Sequence, residues 1–389
     1  MFMRMNERCQ AENQLEHYEE DRMNSFYRLS LFFFIVPLVT TSYADENHEI
    51  GIAVTFTTEG SWNMAEGKVN WENYLNMDAQ VPLWKGAVGE AGVLANQNTR
   101  LGKGKCWTVL DDPQSFSNIQ TDEQIPLSPA VVGITQKISD HLTAFVGVRN
   151  MNVDYFTTPL TSLFINSSYG IFPTLADNCS LANYPEAALC LHLVCTPGNH
   201  LTIKNSLYNG RASHHWDEAF RFRPSKDGWA DAFEVGYSAT EHPGSVTGEY
   251  HFGAECNSTP RTRMDENTGE SYRKKCFNWS CFGLIEQPLI SGRCPLGLLL
   301  EGGYAPKRKN DTYLYMAAGL VCEHLIRQDD AMGLSFNRSL YNGCENENCM
   351  ELTYSLPVIP HLTIQPDLQF FHITSHYHSV ALLRARVDL

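Results

Sequence analysis

The 389-residue sequence contains no motif that is typical of an enzyme. It lacks a glycine-rich phosphate loop, a nucleophile elbow and a metalloprotease motif. It also lacks an excess of basic residues, since 29 Lys and Arg stand against 44 Asp and Glu and the formal net charge is -15. Nucleic-acid-binding proteins carry basic patches, so nucleic acid is excluded as a partner. We therefore expect no catalytic residues, no cofactor and no bound metal.

A second absence concerns membrane helices. A helix needs about 18 to 20 apolar residues to cross a bilayer, and no uninterrupted stretch of that length follows residue 44. The shorter apolar segment before it is typical of a secretory signal peptide at residues 23–44, with Arg28 as its positive charge, an apolar run from Leu29 to Val39 and a small-residue cleavage site at Ser42-Tyr43-Ala44. A membrane anchor is the alternative, but the run is too short for one. Residues 1–22 are acidic and are predicted to be a misassigned upstream start, which leaves 45–389 as the mature chain.

Cysteine is not scarce, and its number is odd. The mature chain has eleven of the twelve cysteines, and an exported chain enters an oxidising compartment, so disulfides are the default interpretation. An odd number leaves one thiol free or paired between molecules. Three pairs have suggestive spacing and give the disulfide candidates Cys190, Cys195, Cys276, Cys281, Cys344 and Cys349. Turn and loop cysteines are the better candidates, because strand cysteines rarely meet.

The commonest pattern after residue 45 is alternation of apolar and polar residues, and helical periodicity is hard to find. Such alternation predicts strands with one apolar and one polar face. Turn-forming residues separate the strands every 10 to 20 positions, as in antiparallel meanders. The alternating segments are Glu49 to Thr57, Trp229 to Ser238, Gly248 to Glu255, Met350 to Leu356, and His361 to Phe370.

Two architectures fit many short antiparallel strands. A soluble sandwich has an apolar interior, whereas a membrane barrel has an apolar exterior. The polar faces carry Glu, His, Gln and Asp, which suits a watery lumen. The sequence also ends on an alternating strand, Ala381 to Leu389, similar to the closing strand of outer-membrane proteins, although those usually end in Phe. Both observations favour the barrel.

Several blocks resemble the carbohydrate-selective porins of the OprB type and occur in the family's order. The match to the family is good from about Asp140 onward. Before that residue, only the alternating pattern of the strands is similar. The blocks are Leu163 to Thr174, Tyr184 to Leu189, Leu207 to Gly210, Asp227-Gly228, Phe233 to Tyr237, Pro243-Gly244, Tyr250 to Ala254, Tyr304 to Pro306, Gly319-Leu320, Arg327 to Asp330, Glu351 to Tyr354, Ile364 to Gln369, and Arg386 to Leu389.

The resemblance implies an all-β transmembrane barrel of about 16 antiparallel strands in the bacterial outer membrane. A mature chain of this length allows about 21 residues per strand, enough for a crossing strand of roughly 10 residues plus its connections. The implied function is passive diffusion of carbohydrates and other small solutes. The implied partners are small sugars, outer-membrane lipid and the barrel assembly machinery. The odd number of mature cysteines adds disulfide-linked envelope proteins as expected partners.

The alternation also predicts which polar side chains face the lumen. Between Leu142 and Arg149, the apolar positions Leu142, Ala144, Val146 and Val148 point outward, so Arg149 points inward just before the central block of the resemblance. Basic and acidic side chains that face each other would form a constriction that orients sugar hydroxyls. For any one residue, an interaction with another side chain of the barrel wall is the simpler interpretation. The pore-lining candidates are Arg149, His192, Lys204, Glu234, Gln365, Asp367, Gln369, Arg384 and Arg386.

One alternative from another class stays open. Six Asn-x-Ser/Thr triplets would be glycan sites in a secreted, cysteine-rich, all-β binding ectodomain. They begin at Asn166, Asn178, Asn257, Asn278, Asn310 and Asn337. Dependence on detergent separates an ectodomain from a barrel.

Overall fold

The computed structural model describes residues 50–101, 105–106, 108–110, 116–179, 181–239, 247–264, 271–343, 346–373 and 375–389. The predicted signal peptide and the segment before it lie outside these residues. Among the described residues no helix is both long enough and apolar enough to span a membrane.

The described part of the chain forms a closed antiparallel barrel of sixteen strands, and a separate two-stranded sheet, β4 with β5. Sequence neighbours pair around the barrel, and β1 pairs with β18 to close it. The strands are β1 (Gly51–Asn63), β2 (Lys68–Trp84), β3 (Ala87–Asn98), β4 (Arg100–Leu101), β5 (Lys105–Cys106), β6 (Ile125–Ser139), β7 (Leu142–Arg149), β8 (Ala188–Cys195), β9 (Leu201–Asn209), β10 (Trp229–Ser238), β11 (Glu249–Met264), β12 (Ser271–Ile290), β13 (Leu296–Tyr304), β14 (Thr312–Glu323), β15 (Ala331–Tyr341), β16 (Glu347–Ile359), β17 (Leu362–Ile373) and β18 (His376–Asp388).

The two faces of the sheet differ as the alternation predicts. On β1, Phe56 points outward and is 41% exposed, whereas Glu59 points inward and is 2% exposed. On β18, Leu383 is 58% exposed and Arg384 is 9% exposed. A barrel with an apolar outer band and a polar interior is the arrangement of outer-membrane proteins.

The two ends of the barrel differ in the length of their connections. Two-residue turns join β2 to β3, β6 to β7 and β16 to β17 at one end, and Gly86 takes a φ of 75° in the first of these turns. The three longest connections, residues 99–124, 150–187 and 210–228, all lie at the other end. Short turns face the periplasm and long loops face the exterior in bacterial barrels, so the long connections mark the extracellular end.

Helical structure is confined to these connections within the described residues. Single helical turns occur at Met151–Val153, Thr161–Leu163, Ser167–Tyr169, Pro173–Ala176, Trp216–Ala219 and Pro224–Asp227. Four of them belong to the connection between β7 and β8, which does not stay at the rim but folds into the barrel.

Candidate functional site

The connection of residues 150–187, called the inner loop below, crosses the lumen to the opposite wall. Its backbone N–H groups at Leu160 and Thr161 donate to Glu286 Oε1 on β12, at 2.8 and 3.2 Å. Further along, the N–H of Ile165 donates to Glu351 Oε1 on β16 at 2.6 Å. Glu286 therefore accepts N–H groups that the turn Thr161–Leu163 leaves without an internal partner, and Glu351 accepts an N–H group just before the turn Ser167–Tyr169. Two buried glutamates hold the loop across the pore.

Aromatic packing fixes the same loop against the wall. Phe172 lies 5.3 Å from Phe282 and 5.7 Å from Tyr315 between ring centroids. Phe164 fills a space that exists because β15 carries glycine at position 333, where a Cβ atom would lie 2.8 Å from the Phe164 ring. The inner loop is thus a packed element with its own apolar core, and it narrows the lumen.

A second segment, residues 116–124, also folds inward and lies against the inner loop. The N–H of Asn118 donates to the carbonyl of Ile165 at 2.8 Å. Arg384 on β18 donates to Asn118 Oδ1 at 2.8 Å and to Glu59 Oε2 at 2.7 Å. The wall formed by β1, β17 and β18 is therefore covered from the inside.

On the other wall a ladder of charged side chains is only partly covered. It consists of Glu90, Arg149, Asp154, His192, Lys204, Glu234 and His251, and it is called the charged belt below. Arg149 donates to both oxygens of Asp154 at 2.6 and 2.8 Å and to Glu90 Oε2 at 3.1 Å.

The belt continues through two further ion pairs. Lys204 Nζ lies 2.9 Å from Glu234 Oε1, and His251 Nδ1 lies 3.0 Å from the same oxygen. His192 hydrogen-bonds Ser206 Oγ at 2.5 Å and faces Asp154 at 3.6 Å. Lys204 and His251 keep 21% and 15% of their side chains exposed. The belt thus presents fixed charges of both signs beside the inner loop.

The structure separates the nine pore-lining candidates into three groups. Arg149, His192, Lys204 and Glu234 belong to the charged belt. Gln365, Gln369 and Arg384 are lumenal but contact the inward-folded segments; Gln365 Nε2 donates to the carbonyl of Leu163 at 2.7 Å and Gln369 Nε2 to that of Phe116 at 2.8 Å. Asp367 is buried on the same wall and accepts a hydrogen bond from Gln369 Nε2 at 3.0 Å. Arg386 pairs with Asp388 near the periplasmic end, with 54% of its side chain exposed.

Sequence reasoning missed the residues that anchor the inner loop, Glu286 and Glu351, and three members of the belt, Glu90, Asp154 and His251. All but Asp154 are ionisable residues in the lumenal phase of an alternating strand, and that phase was an available signal. Asp154 lies in the loop, where no periodicity indicates its direction. Its two contacts with Arg149 could only be seen in three dimensions.

Above the inner loop, the extracellular mouth contains a recess of about 970 Å³. Its walls include Glu186, Arg211, His214, Arg223 and Lys275. Burial, followed by repulsion from Glu123, raises the pKa of Glu186 to about 7. Burial and the neighbouring His215 lower the pKa of His214. The recess at the extracellular end therefore has a lining of mixed charge.

The structure does not bring together two of the cysteine pairs suggested by spacing. Cys190 and Cys195 lie on β8, and Cys276 and Cys281 lie on β12. Two cysteines five positions apart on one strand point to opposite faces of the sheet and are separated by roughly 16 Å. This corrects the disulfide pairs that the spacing suggested. Cys349 is buried in the lumen, and Cys344 lies outside the described residues. Disulfides between molecules stay a prediction.

The asparagines of the six Asn-x-Ser/Thr triplets are all buried, with exposures between 0% and 6%. Asn166, for example, donates to Gln369 Oε1 at 3.2 Å inside the barrel. A glycan has no space at these positions. The ectodomain alternative is therefore not favoured.

Comparison with solved structures identifies the same architecture. The high-pH structure of OprB from Pseudomonas putida matches with a TM-score of 0.73 and 15% identity, over 87% of this chain and 94% of that one. The low-pH structure of that protein matches with a TM-score of 0.56 and 15% identity, over 87% and 92% of the two chains. OmpT of Vibrio cholerae matches with a TM-score of 0.55 and 9% identity, over 89% and 99%. At these identities the likeness shows the fold alone.

No curated protein sequence matches the chain. The model of the carbohydrate-selective porin, OprB family, matches residues 109–381, which is over two thirds of the sequence. This range contains the inner loop, both of its glutamate anchors and most of the charged belt. The chain therefore belongs to the carbohydrate-selective porin family of the OprB type and is a β-barrel of the bacterial outer membrane.

Proposed function

We propose that small neutral sugars diffuse passively through this barrel along the charged belt, and that the belt and the inner loop together form the narrowest part of the route. The observation that carries the proposal is the combination of a loop fixed across the lumen with a row of partly exposed charges facing it. Sugar hydroxyls exchange hydrogen bonds with water for hydrogen bonds with such side chains at little net cost. Width then excludes longer oligosaccharides.

The arrangement needs no chemistry beyond binding and release. Within the described residues Arg149, Lys204 and Glu234 are each held by an ion pair, so their charges shape the field of the lumen. We infer that the protein acts as a channel and not as an enzyme. Outer-membrane lipid on its apolar band and the barrel assembly machinery are the further partners that this function requires.

Liposome swelling tests the proposal directly. Liposomes containing the protein should swell in an iso-osmotic monosaccharide and should swell far more slowly in a pentasaccharide. Liposomes prepared without protein, and with heat-unfolded protein, are the controls. Absence of swelling in the monosaccharide would contradict the proposal.

A further inference from the structure

Cys294 and Cys322 both lie at the periplasmic rim of the barrel, away from the charged belt. Cys322 lies near the end of β14, directly opposite Leu296 on β13. Its neighbour Val321 is 1% exposed and points inward, whereas Leu320 is 41% exposed and points outward. The alternation therefore places Cys322 on the outer face.

Cys294 belongs to the turn that precedes β13 and reaches toward the end of β14. Pairing continues past the strand end, because the N–H of Glu323 donates to the carbonyl of Pro295 at 3.0 Å. The Cys294 thiol donates to the carbonyl of His324 at 3.4 Å, and the Cys322 thiol donates to the carbonyl of Glu323 at 3.9 Å. The two sulfur atoms thus contact successive carbonyl groups of the same turn.

The geometry points to a disulfide between Cys294 and Cys322 in the exported protein. Same-face diagonal neighbours on paired strands lie about 7 to 8 Å apart between Cα atoms, and a disulfide needs about 4.4 to 6.8 Å. The difference is small, and Cys294 lies in a turn that also contains Gly292, at a φ of 123°. A turn of this kind adjusts more easily than a strand.

The compartment and the exposure of the thiols favour the reaction. The turn of residues 291–295 lies at the end that faces the periplasm, where disulfides form and persist. Cys294 is exposed and Cys322 is half-buried.

The exposed Cys294, as the thiolate, attacks one sulfur of an oxidoreductase's disulfide and forms a mixed disulfide, which releases one oxidoreductase thiolate. The Cys322 thiolate then attacks the Cys294 sulfur, so that the new bond forms and the oxidoreductase leaves as a dithiol with both electrons.

The bond would join the periplasmic turn before β13 to the periplasmic end of β14. It differs from the pairs suggested by spacing, because its members come from a turn and from the adjacent strand. It also accounts for two of the mature cysteines within one molecule.

Peptide mapping tests the proposal. Outer membranes are dissolved in SDS with N-ethylmaleimide and without reductant, and the digested protein is analysed by mass spectrometry. We expect a peptide pair joining Cys294 to Cys322, which disappears after dithiothreitol. Cys294→Ser should make Cys322 alkylatable, and Cys322→Ser should do the same for Cys294. Cys281→Ser, a matched change of a half-buried strand thiol, should leave the joined peptides unchanged.

Two results would overturn the proposal. The first is full alkylation of both cysteines in the wild-type protein, and the second is a bond from either one to any other cysteine. Because the wild-type map alone decides between these results, the conclusion does not depend on the variants reaching the membrane.

Discussion

At the level of single residues, the lumen is organised by ion pairs that share partners. Arg149 bridges Asp154 and Glu90, and Lys204 and His251 both contact Glu234. A charge inside a barrel is costly unless it is paired or hydrated. The belt satisfies this condition with side chains from neighbouring strands, so that removing one member changes the charge of the whole lumenal face.

Replacing Arg149 with Ala should alter ion permeation more than sugar permeation. Loss of the guanidinium leaves Asp154 and Glu90 without their cation, and the field in the narrow pore becomes more negative. We expect a larger preference for cations in planar bilayers and little change of swelling in a monosaccharide.

Arg386→Ala is the matched control for this change, because Arg386 pairs with Asp388 near the open periplasmic end. It should shift the reversal potential less than Arg149→Ala does. Unaltered conductance and ion preference in the Arg149 variant would remove the role assigned to Arg149 and leave the channel itself in place.

Asp330 is the clearest stabilising carboxylate outside the membrane-spanning strands. It is buried at the end of a periplasmic turn. Its carboxylate accepts hydrogen bonds from the backbone N–H groups of Leu325, Ile326 and Arg327 at 2.6 to 2.9 Å, and from the hydroxyl group of Tyr354 at 2.6 Å. Burial acts to raise its pKa, but the hydrogen bonds outweigh burial, so the pKa of Asp330 is lowered from 3.8.

Asp330→Asn should therefore lower the temperature at which the barrel unfolds in SDS at neutral pH. Because the folded-state pKa is depressed, the charged carboxylate stabilises the fold above pH 3.8, and that contribution is lost as the pH falls through the folded pKa. The difference between wild type and variant should shrink below about pH 4. Asp329→Asn, an exposed neighbour in the same turn, should have little effect at any pH, and equal effects of the two changes would contradict the assignment.

At the level of elements, the inner loop behaves as a structural part of the channel wall. Its backbone N–H groups donate to Glu286 and Glu351, and its aromatic residues pack against β12 to β15. These contacts join positions more than a hundred residues apart in the sequence. The loop's position therefore depends on the closed barrel, and the barrel's width depends on the loop.

Replacing both Glu286 and Glu351 with Ala should release the loop. Each substitution leaves two buried N–H groups without an acceptor, at a cost of about 1 to 3 kcal/mol for each group. We expect the double variant to admit a pentasaccharide that the wild type excludes, with a smaller change for a monosaccharide.

Glu66→Ala is the control, since Glu66 lies in an extracellular turn and pairs with Lys68. Liposome swelling with sugars of graded size gives the comparison. An unchanged exclusion limit in the double variant, with a folded barrel, would show that aromatic packing alone holds the loop.

Strand alternation predicted the strands and the lumenal phase of residues such as Arg149 and Arg384, whereas the polar faces, the closing strand and the family resemblance favoured the barrel over a sandwich. Side-chain direction follows from period two once a strand is recognised, so a local pattern is enough. It could not indicate that Gln369 and Arg384 are covered, because the segment of residues 116–124 reaches them from over two hundred residues away. The five-residue spacing of cysteines wrongly suggested disulfides, and strand alternation explains why. Two residues separated by an odd number of positions on one strand point to opposite faces of the sheet.

At the level of the whole molecule, the lumenal wall is rich in carboxylates. Among the described residues the buried acidic side chains on the barrel's inner face include Glu59, Glu72, Glu234, Glu255, Glu286, Glu301, Glu347, Glu351 and Asp367, whereas Arg384 and His192 are the buried basic side chains there. Burial favours the neutral form of a carboxyl group that has no cationic partner, so the fixed charge of the lumen comes from carboxylates that are paired or partly exposed. In the charged belt the carboxylates Glu90, Asp154 and Glu234 outnumber the permanent cations Arg149 and Lys204, and a narrow lumen with excess negative charge attracts cations.

We therefore predict that the open channel prefers cations over anions while it passes neutral sugars. In a planar bilayer with a KCl gradient, the reversal potential should have the sign of a cation-selective pore. The preference should weaken as the salt concentration approaches 1 M, because the Debye length falls to about 3 Å and the wall charges are screened across the lumen.

Replacing Lys204 with Gln should strengthen the preference for cations at low salt, since a positive charge is removed from the belt while Glu234 still contacts His251. An anion-selective channel, or a preference that does not change with salt, would contradict this electrostatic account while leaving the swelling result for sugars unaffected.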